Sequence, residues 1–235
     1  MASHARRLAL SAAALALGTA PSLAQEILLN PSFETPGPGF VLFQNWGQFN
    51  NVFADDNVEV IAQDGNRSVK MFGQFIPEGQ SDNGVYQMVN VTAGTDYVLS
   101  GYTYTPSSDA IQPFVTVPFN YGHLPLFIID FKDSGGATIS SAQTDAFVPG
   151  VDPTDTWVFK SMTATAPVGA VQAQVTLLLI QFDLAPGALF WDSVSLTEDA
   201  TPPGPCNAAD LAEPYGVLNF FDVQAFLQLF SAGCD

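Results

Sequence analysis

Between Gln25 and Glu198 no stretch carries the apolar spacing of a helix, and this constrains the fold more than any other feature. The stretch is instead a succession of short runs rich in Val, Thr and aromatic residues, each closed by Gly, Pro, Asp or Asn. Val85 to Val91 (VYQMVNV) puts Val85, Val89 and Val91 on one face and Tyr86, Met88 and Asn90 on the other. Tyr97 to Tyr104 follows after the turn Thr92-Ala93-Gly94-Thr95, and Leu126 to Phe131 is a nearly continuous apolar run. Trp157 to Thr165, Val171 to Phe182 and Ala188 to Leu196 complete the series. Strands at this spacing predict one all-β domain over residues 25–198, a sandwich or a barrel. About 170 residues suffice to fill a core between two sheets.

The two ends read differently. Arg6-Arg7, the apolar run Leu8 to Gly18 and the small-x-small triplet Ser22-Leu23-Ala24 predict a signal peptide over residues 1–24. No later segment approaches a membrane span; the best candidate, Val175 to Ile180, is short and is followed by Gln181 and Asp183. Localisation is therefore expected to be secreted or extracytoplasmic, with attachment to the cell surface as one form of it. Asp199 to Pro205 (DATPPGP) reads as a stiff linker. Beyond it Val223, Phe226, Leu227 and Phe230 fall at helical spacing, predicting a helix of about three turns that ends at Gly233. Residues 206–235 thus form a second module, too small to fold without help. The two cysteines, Cys206 and Cys234, bracket it, and in an exported chain they are expected to form a disulfide. Closing that loop stabilises the segment by about 3–4 kcal/mol in the chain-entropy picture.

Charge excludes several function classes. The chain carries 23 acidic and 6 basic residues, and two of the bases, Arg6 and Arg7, lie in the predicted signal peptide. Nucleic-acid binding and a polybasic membrane surface both need a basic footprint that this chain lacks. After residue 24 the one histidine is His123, so a three-histidine zinc site is impossible, and a Ser-His-Asp site would have to be built around it. A chain 47% hydrophobic and 12% charged, with 19 Gly and 17 Pro, suits an all-β domain that binds sugars or calcium.

Three features, in order, resemble the carbohydrate-binding modules of families 4, 9 and 22, which are jelly rolls of the galactose-binding type. They are Asn30-Pro31-Ser32-Phe33-Glu34 with Trp46 beyond it, the turn Asp64-Gly65-Asn66-Arg67-Ser68-Val69, and the closing strand Leu189 to Leu196 (LFWDSVSL). Gln87 to Val91 and Tyr97 to Ser100 are similar to the paired central strands of these modules. The resemblance spans roughly residues 26–197 and implies an all-β jelly-roll sandwich that binds polysaccharide or another glycan. It also implies that Trp46 and Trp157 are core residues, and that the three points meet at a structural calcium ion. Glu34, Asp64 and Asp192 would then supply side-chain oxygens, and Ser32 and Arg67 their carbonyls. The other reading of these carboxylates is solvated turn residues. Tyr86, Tyr102 and Tyr104 are either core filler or flat rings that stack on sugars. The long segment Pro106 to Pro125 adds Phe114, Phe119, Tyr121 and His123; Phe114 and Tyr121 join the candidate ligand residues, whereas His123 is expected to be a hydrogen-bonded loop residue.

The tail is similar to a second family. Asp210 to Val223 resembles one dockerin repeat, an EF-hand-like loop followed by a helix, of the variant that ends in Gly-Cys, here Gly233-Cys234. The resemblance implies Asp210, Asn219 and Asp222 as calcium ligands and a cohesin-like or cell-surface docking partner. Ala212 and Pro214 stand where such loops place oxygen donors, and one repeat is present instead of two. Three function classes follow: a secreted non-catalytic glycan-binding protein with a docking module, a structural or adhesive surface protein, and a small jelly-roll glycoside hydrolase or lyase using paired carboxylates. Tyr102, Tyr104 and Tyr121 pointing into one groove favour the first and a convex, featureless face the second; two buried carboxylates about 5–10 Å apart in a cleft favour the third.

Overall fold

The computed structural model describes residues 25–117, 119–199, 209, 211–212 and 218–232. The predicted signal peptide, most of the linker, Asp210, Cys206, Cys234 and the expected disulfide lie outside the described residues. Among the described residues the strands are β1 (Gly47–Phe49), β2 (Val52–Asp55), β3 (Ser68–Phe72), β4 (Gln80–Asn90) and β5 (Asp96–Tyr104), then β6 (Gly122–Lys132), β7 (Thr138–Asp145), β8 (Val158–Thr165), β9 (Gln172–Phe182) and β10 (Ala188–Glu198). The α-helix α1 (Phe220–Ala232) follows, close to the helix expected from the spacing of Val223, Phe226, Leu227 and Phe230.

The strands form two five-stranded sheets, β1-β4-β9-β6-β7 and β2-β3-β10-β5-β8, with every neighbouring pair antiparallel. Together they make a jelly-roll β-sandwich. Alternation decides what each sheet buries. The first sheet turns Val85, Val89, Val175, Leu177, Leu179, Phe127, Ile129 and Phe131 into the core. The second answers with Val69, Met71, Tyr97, Leu99, Leu189, Trp191, Val194 and Leu196. Phe127 meets Trp191 edge to face at 5.5 Å, one of the contacts that bridge the two sheets.

The turn that opens the domain is built around Asn30. Its side-chain amide donates to the carbonyls of Thr35 and Gln44, and its side-chain oxygen accepts the Thr35 amide. This drives Phe33 inward against Phe43 and Trp46, at 5.2 and 5.0 Å. Trp46 is buried as the resemblance implied, but Trp157 is not a core residue. It stands half-buried beside the outer face of the second sheet and donates its indole N–H to the Ile61 carbonyl at 3.0 Å. The fully buried partner of the sandwich is Trp191.

Candidate functional site

The outward side chains of β4, β9 and β6 form one surface. The pairing aligns Tyr86, Thr176, Ile128 and Gln143 in one row, and Asp82, Ile180 and Leu124 in another. Between them run Gly84, Leu178, Leu126 and Asp145. Exposure falls from the β4 side, where Tyr86 is 36% and Met88 41% exposed, to the centre, where Thr176 is 6% and Leu126 9% exposed. The face thus carries an aliphatic strip of Leu124, Leu126, Ile128, Leu178 and Ile180, with Tyr86 and Met88 half-exposed beside it. Its margins carry Asp82, Gln174, Asp130, Ser141, Gln143 and Asp145, side chains able to donate or accept hydrogen bonds. On the β1 side the Tyr86 ring lies over Gly47, where any Cβ would collide with the ring, and tilts against Phe49 at 6.4 Å. Gly47 therefore seats an aromatic ring beside the strip. At the other end Phe114 packs on Phe182 at 4.6 Å, and Tyr121 pairs with Val115 just before β6.

The candidate ligand residues thus divide between faces. Tyr86 stands on the β4-β9-β6 face, Phe114 packs on Phe182 at its end, and Tyr121 lies just before β6. Tyr102 and Tyr104 point outward from β5 on the other sheet, where Tyr102 meets Phe159 at 5.1 Å and Tyr104 meets Trp157 at 5.4 Å. The five do not line a single groove. His123 lies within β6 and not in a loop, fully buried opposite Gln181. Its Nδ1 accepts the Gln112 amide at 3.0 Å, and burial lowers its pKa to about 4. A neutral imidazole held this way is poorly suited to act as a base toward solvent.

The turn Gln63 to Arg67 does draw together the segments expected to meet. Asp192 Oδ2 accepts the amides of Gln63 and Asp64 at 2.7 and 3.0 Å, and Oδ1 accepts that of Ser193 at 2.7 Å. Glu34 Oε1 accepts the amides of Asn66 and Arg67 at 3.0 and 2.9 Å. A bulge in β10, with Ser193 at φ 48°, sets Asp192 facing the turn, and Val194 N–H binds the Pro31 carbonyl at 2.9 Å. Burial raises Asp192 to about 6, against the pull of its amide partners, and the Glu34 charge raises it further. Asp64 takes part through its backbone, its side chain being exposed. The Arg67 side chain is paired with Asp56. Among the described residues no three His, Cys, Asp or Glu side chains gather at one point. The carboxylates that converge are therefore two, Glu34 and Asp192.

Sequence reasoning missed a third carboxylate of this region. Asp55 is buried and accepts the amides of Val58, Glu59 and Val60 at 3.0–3.2 Å. The segment 56–67 is thus tied down by three acids; an Asp followed by a Gly- and Asn-bearing loop was the available signal. In the tail, Asn219 Oδ1 accepts the Phe221 amide at 2.8 Å, and Asp222 Oδ2 accepts the Asn219 amide at 2.8 Å, a reciprocal cap on α1. Asp222 Oδ1 also takes the amides of Leu211 and Ala212. Phe220, Phe226 and Phe230 are exposed on the helix, Phe230 to 76%.

No protein-family model matches the chain, and no curated protein is similar to it in sequence. Among solved structures it is similar to the enzymatically active domain of tailspike protein 4 of bacteriophage CBA120, at 14% identity and a TM-score of 0.46 over 74% of this chain. It spans 21% of the tailspike chain. It is similar to a family 61 carbohydrate-binding module in complex with β-1,4-galactotriose at 17% identity and a TM-score of 0.45, over 75% of this chain and all of that one. A cyclase from Fischerella sp. TAU in complex with 4-(1H-indol-3-yl)butan-2-one is similar at 15% identity and a TM-score of 0.48, over 75% of this chain and 98% of the cyclase.

Proposed function

We propose that this chain is an exported glycan-binding protein without catalytic activity, whose β4-β9-β6 face takes an uncharged polysaccharide. The observation that carries the reading is the outward aliphatic strip with the Tyr86 ring held beside it over Gly47. A flat ring beside an aliphatic strip suits the C–H face of a sugar, and the polar margin suits its hydroxyls. Anionic glycans are disfavoured because the four basic side chains after residue 24 are engaged. Arg67 pairs with Asp56, Lys70 with Glu59 and Lys160 with Asp152, while Lys132 donates to Thr138 Oγ1. Against hydrolysis or elimination, the buried carboxylates Asp55 and Asp192 each accept three backbone amides, which makes them holders of a loop. The exposed aromatic residues of α1 support a docking role for the tail toward a cohesin-like or other surface partner.

Glu34 and Asp192, with the carbonyls of Ser32 and Arg67, would hold a structural calcium ion. The support is the approach of two carboxylates to one turn, where burial raises Asp192 and the Glu34 charge adds to it, a penalty that a divalent cation relieves. Asp64 does not belong to that set. Titration of the full chain against neutral and acidic polysaccharides, with a reducing-end assay alongside, tests the functional reading. Saturable binding to a neutral polymer without new reducing ends supports it, and released sugar overturns it.

A further inference from the structure

The outer face of the second sheet already holds one ammonium ion over aromatic rings. Phe53, Lys70, Phe190 and Tyr104 stand in a row across β2, β3, β10 and β5. Lys70 Nζ lies 5.6 Å from the centroid of Phe72 and 5.7 Å from that of Phe190, and 2.5 Å from the Glu59 carboxylate. Two ring faces and one carboxylate thus surround a resident cation, an arrangement held by ring quadrupoles and an ion pair together.

The next step along the same row repeats the rings and the carboxylate. Tyr104 and Trp157 stand 5.4 Å apart at 51° and line a cleft with Ile61, Gln63, Asp155 and Glu59. The Trp157 N–H is committed to Ile61, so the indole is fixed against the pinned 56–67 segment. Asp155, at φ 58°, accepts the Ser107 amide at 2.8 Å, which holds its carboxyl below its ordinary pKa. The Tyr104 phenol is raised, first by burial and then by the negative charge of Asp155, so the field of that carboxylate reaches the ring pair. Glu59 is compensated by Lys70, whereas among the described residues Asp155 forms no ion pair.

We propose that this cleft binds an organic ammonium ion, its charge at Asp155 and its carbon framework against Tyr104 and Trp157. A hard metal ion gains little from ring faces, and an anion meets two carboxylates, so the combination selects a cation with an apolar body. The net charge of −17 also raises the local concentration of cations around the molecule. The ammonium group can come from an amino sugar or from an amine such as a lysine side chain.

The test is an NMR titration of the full chain, following the Trp157 indole N–H, which is assigned by its loss in Trp157→Phe. The probes are glucosamine, Nα-acetyl-lysine amide, tetramethylammonium, and N-acetylglucosamine as the uncharged control. The Trp157 resonance should shift saturably with at least one ammonium compound and stay still with N-acetylglucosamine. Response to glucosamine but not the lysine amide assigns the amino-sugar source; the reverse assigns the amine source. Asp155→Asn keeps an acceptor for Ser107 and tolerates the positive φ. It should weaken the effective probe about tenfold. Raising the salt should weaken wild type in the same direction. Equal response to glucosamine and its N-acetyl form, an unchanged affinity in Asp155→Asn, or no shift with any ammonium probe would each overturn the proposal.

Discussion

At the scale of single residues, Gly65 shows how closely backbone and carboxylate are matched. It sits at φ 66°, and a Cβ there would run into the Glu34 carboxylate. Gly65→Ala should therefore cost about 2–4 kcal/mol, from left-handed strain plus the displaced carboxylate. Gly94→Ala, at φ 84° with open space around it, should cost only about 1 kcal/mol. Denaturant unfolding of both variants checks the difference, and equal losses would mean that the Glu34 contact contributes nothing. His123 gives a pH dependence with a definite sign. Its folded pKa is near 4, below the ordinary value of 6.5, so the unfolded chain takes up a proton across that window while the native state resists. Its contribution is whole above pH 6.5 and falls away as the pH drops to 4. The difference in stability between wild type and His123→Gln should therefore shift by roughly 3 kcal/mol over that range. The same stability in both proteins at every pH would contradict the buried neutral imidazole. Glu34→Gln isolates the proposed cation, because the amide oxygen still serves Asn66 and Arg67. Calcium should raise the melting temperature of wild type over a chelated sample and leave Glu34→Gln unmoved; equal increments in the two would remove the ion.

At the scale of elements, legibility followed chemistry. β4, β5, β6, β9 and β10 were readable because each buries one face, so that apolar residues alternate or run continuously, and β8 by its Val, Phe and Thr content. β7 (TISSAQTD) was not, since it lies at a sheet edge and most of its side chains are exposed. β1 and β2 are too short to carry a period. The convergence of Glu34 and Asp192 on the Gln63 to Arg67 turn was legible only through family resemblance, because the contacts join points up to 130 residues apart. Trp157 misled for a different reason: the resemblance implied a core position, whereas its N–H finds a loop carbonyl at the outer face. The helix in the tail was visible by its spacing, but its cap has a dual duty that spacing does not reveal. Asp222 serves Asn219 within the cap and Leu211 and Ala212 beyond it. Asp222→Ala should speed amide hydrogen exchange across residues 220–232, with a local loss of about 1–3 kcal/mol. Unchanged exchange there would mean that the cap does not hold the helix.

At the scale of the whole molecule, the sandwich sorts its side chains into three kinds of surface: an apolar interior between the sheets, an aliphatic strip on one outer face, and an aromatic face on the other. The same inward alternation that fills the core leaves Tyr86, Leu178, Ile180 and Ile128 turned outward without any apolar layer of the described strands above them. A row of partly exposed apolar side chains gains from being covered, and an extended neutral polymer suits an open face of this kind. An open site gains limited buried area, so affinity should be modest and should rest heavily on the Tyr86 ring. The most direct measurement is calorimetric titration of wild type and Tyr86→Ala with the polysaccharide that binds best, with reducing ends counted in the same samples. Saturable binding in wild type, a loss of about tenfold or more in Tyr86→Ala and no new reducing ends are the predicted result. Undiminished binding by Tyr86→Ala, or sugar released by wild type, would contradict a non-catalytic glycan site on the β4-β9-β6 face.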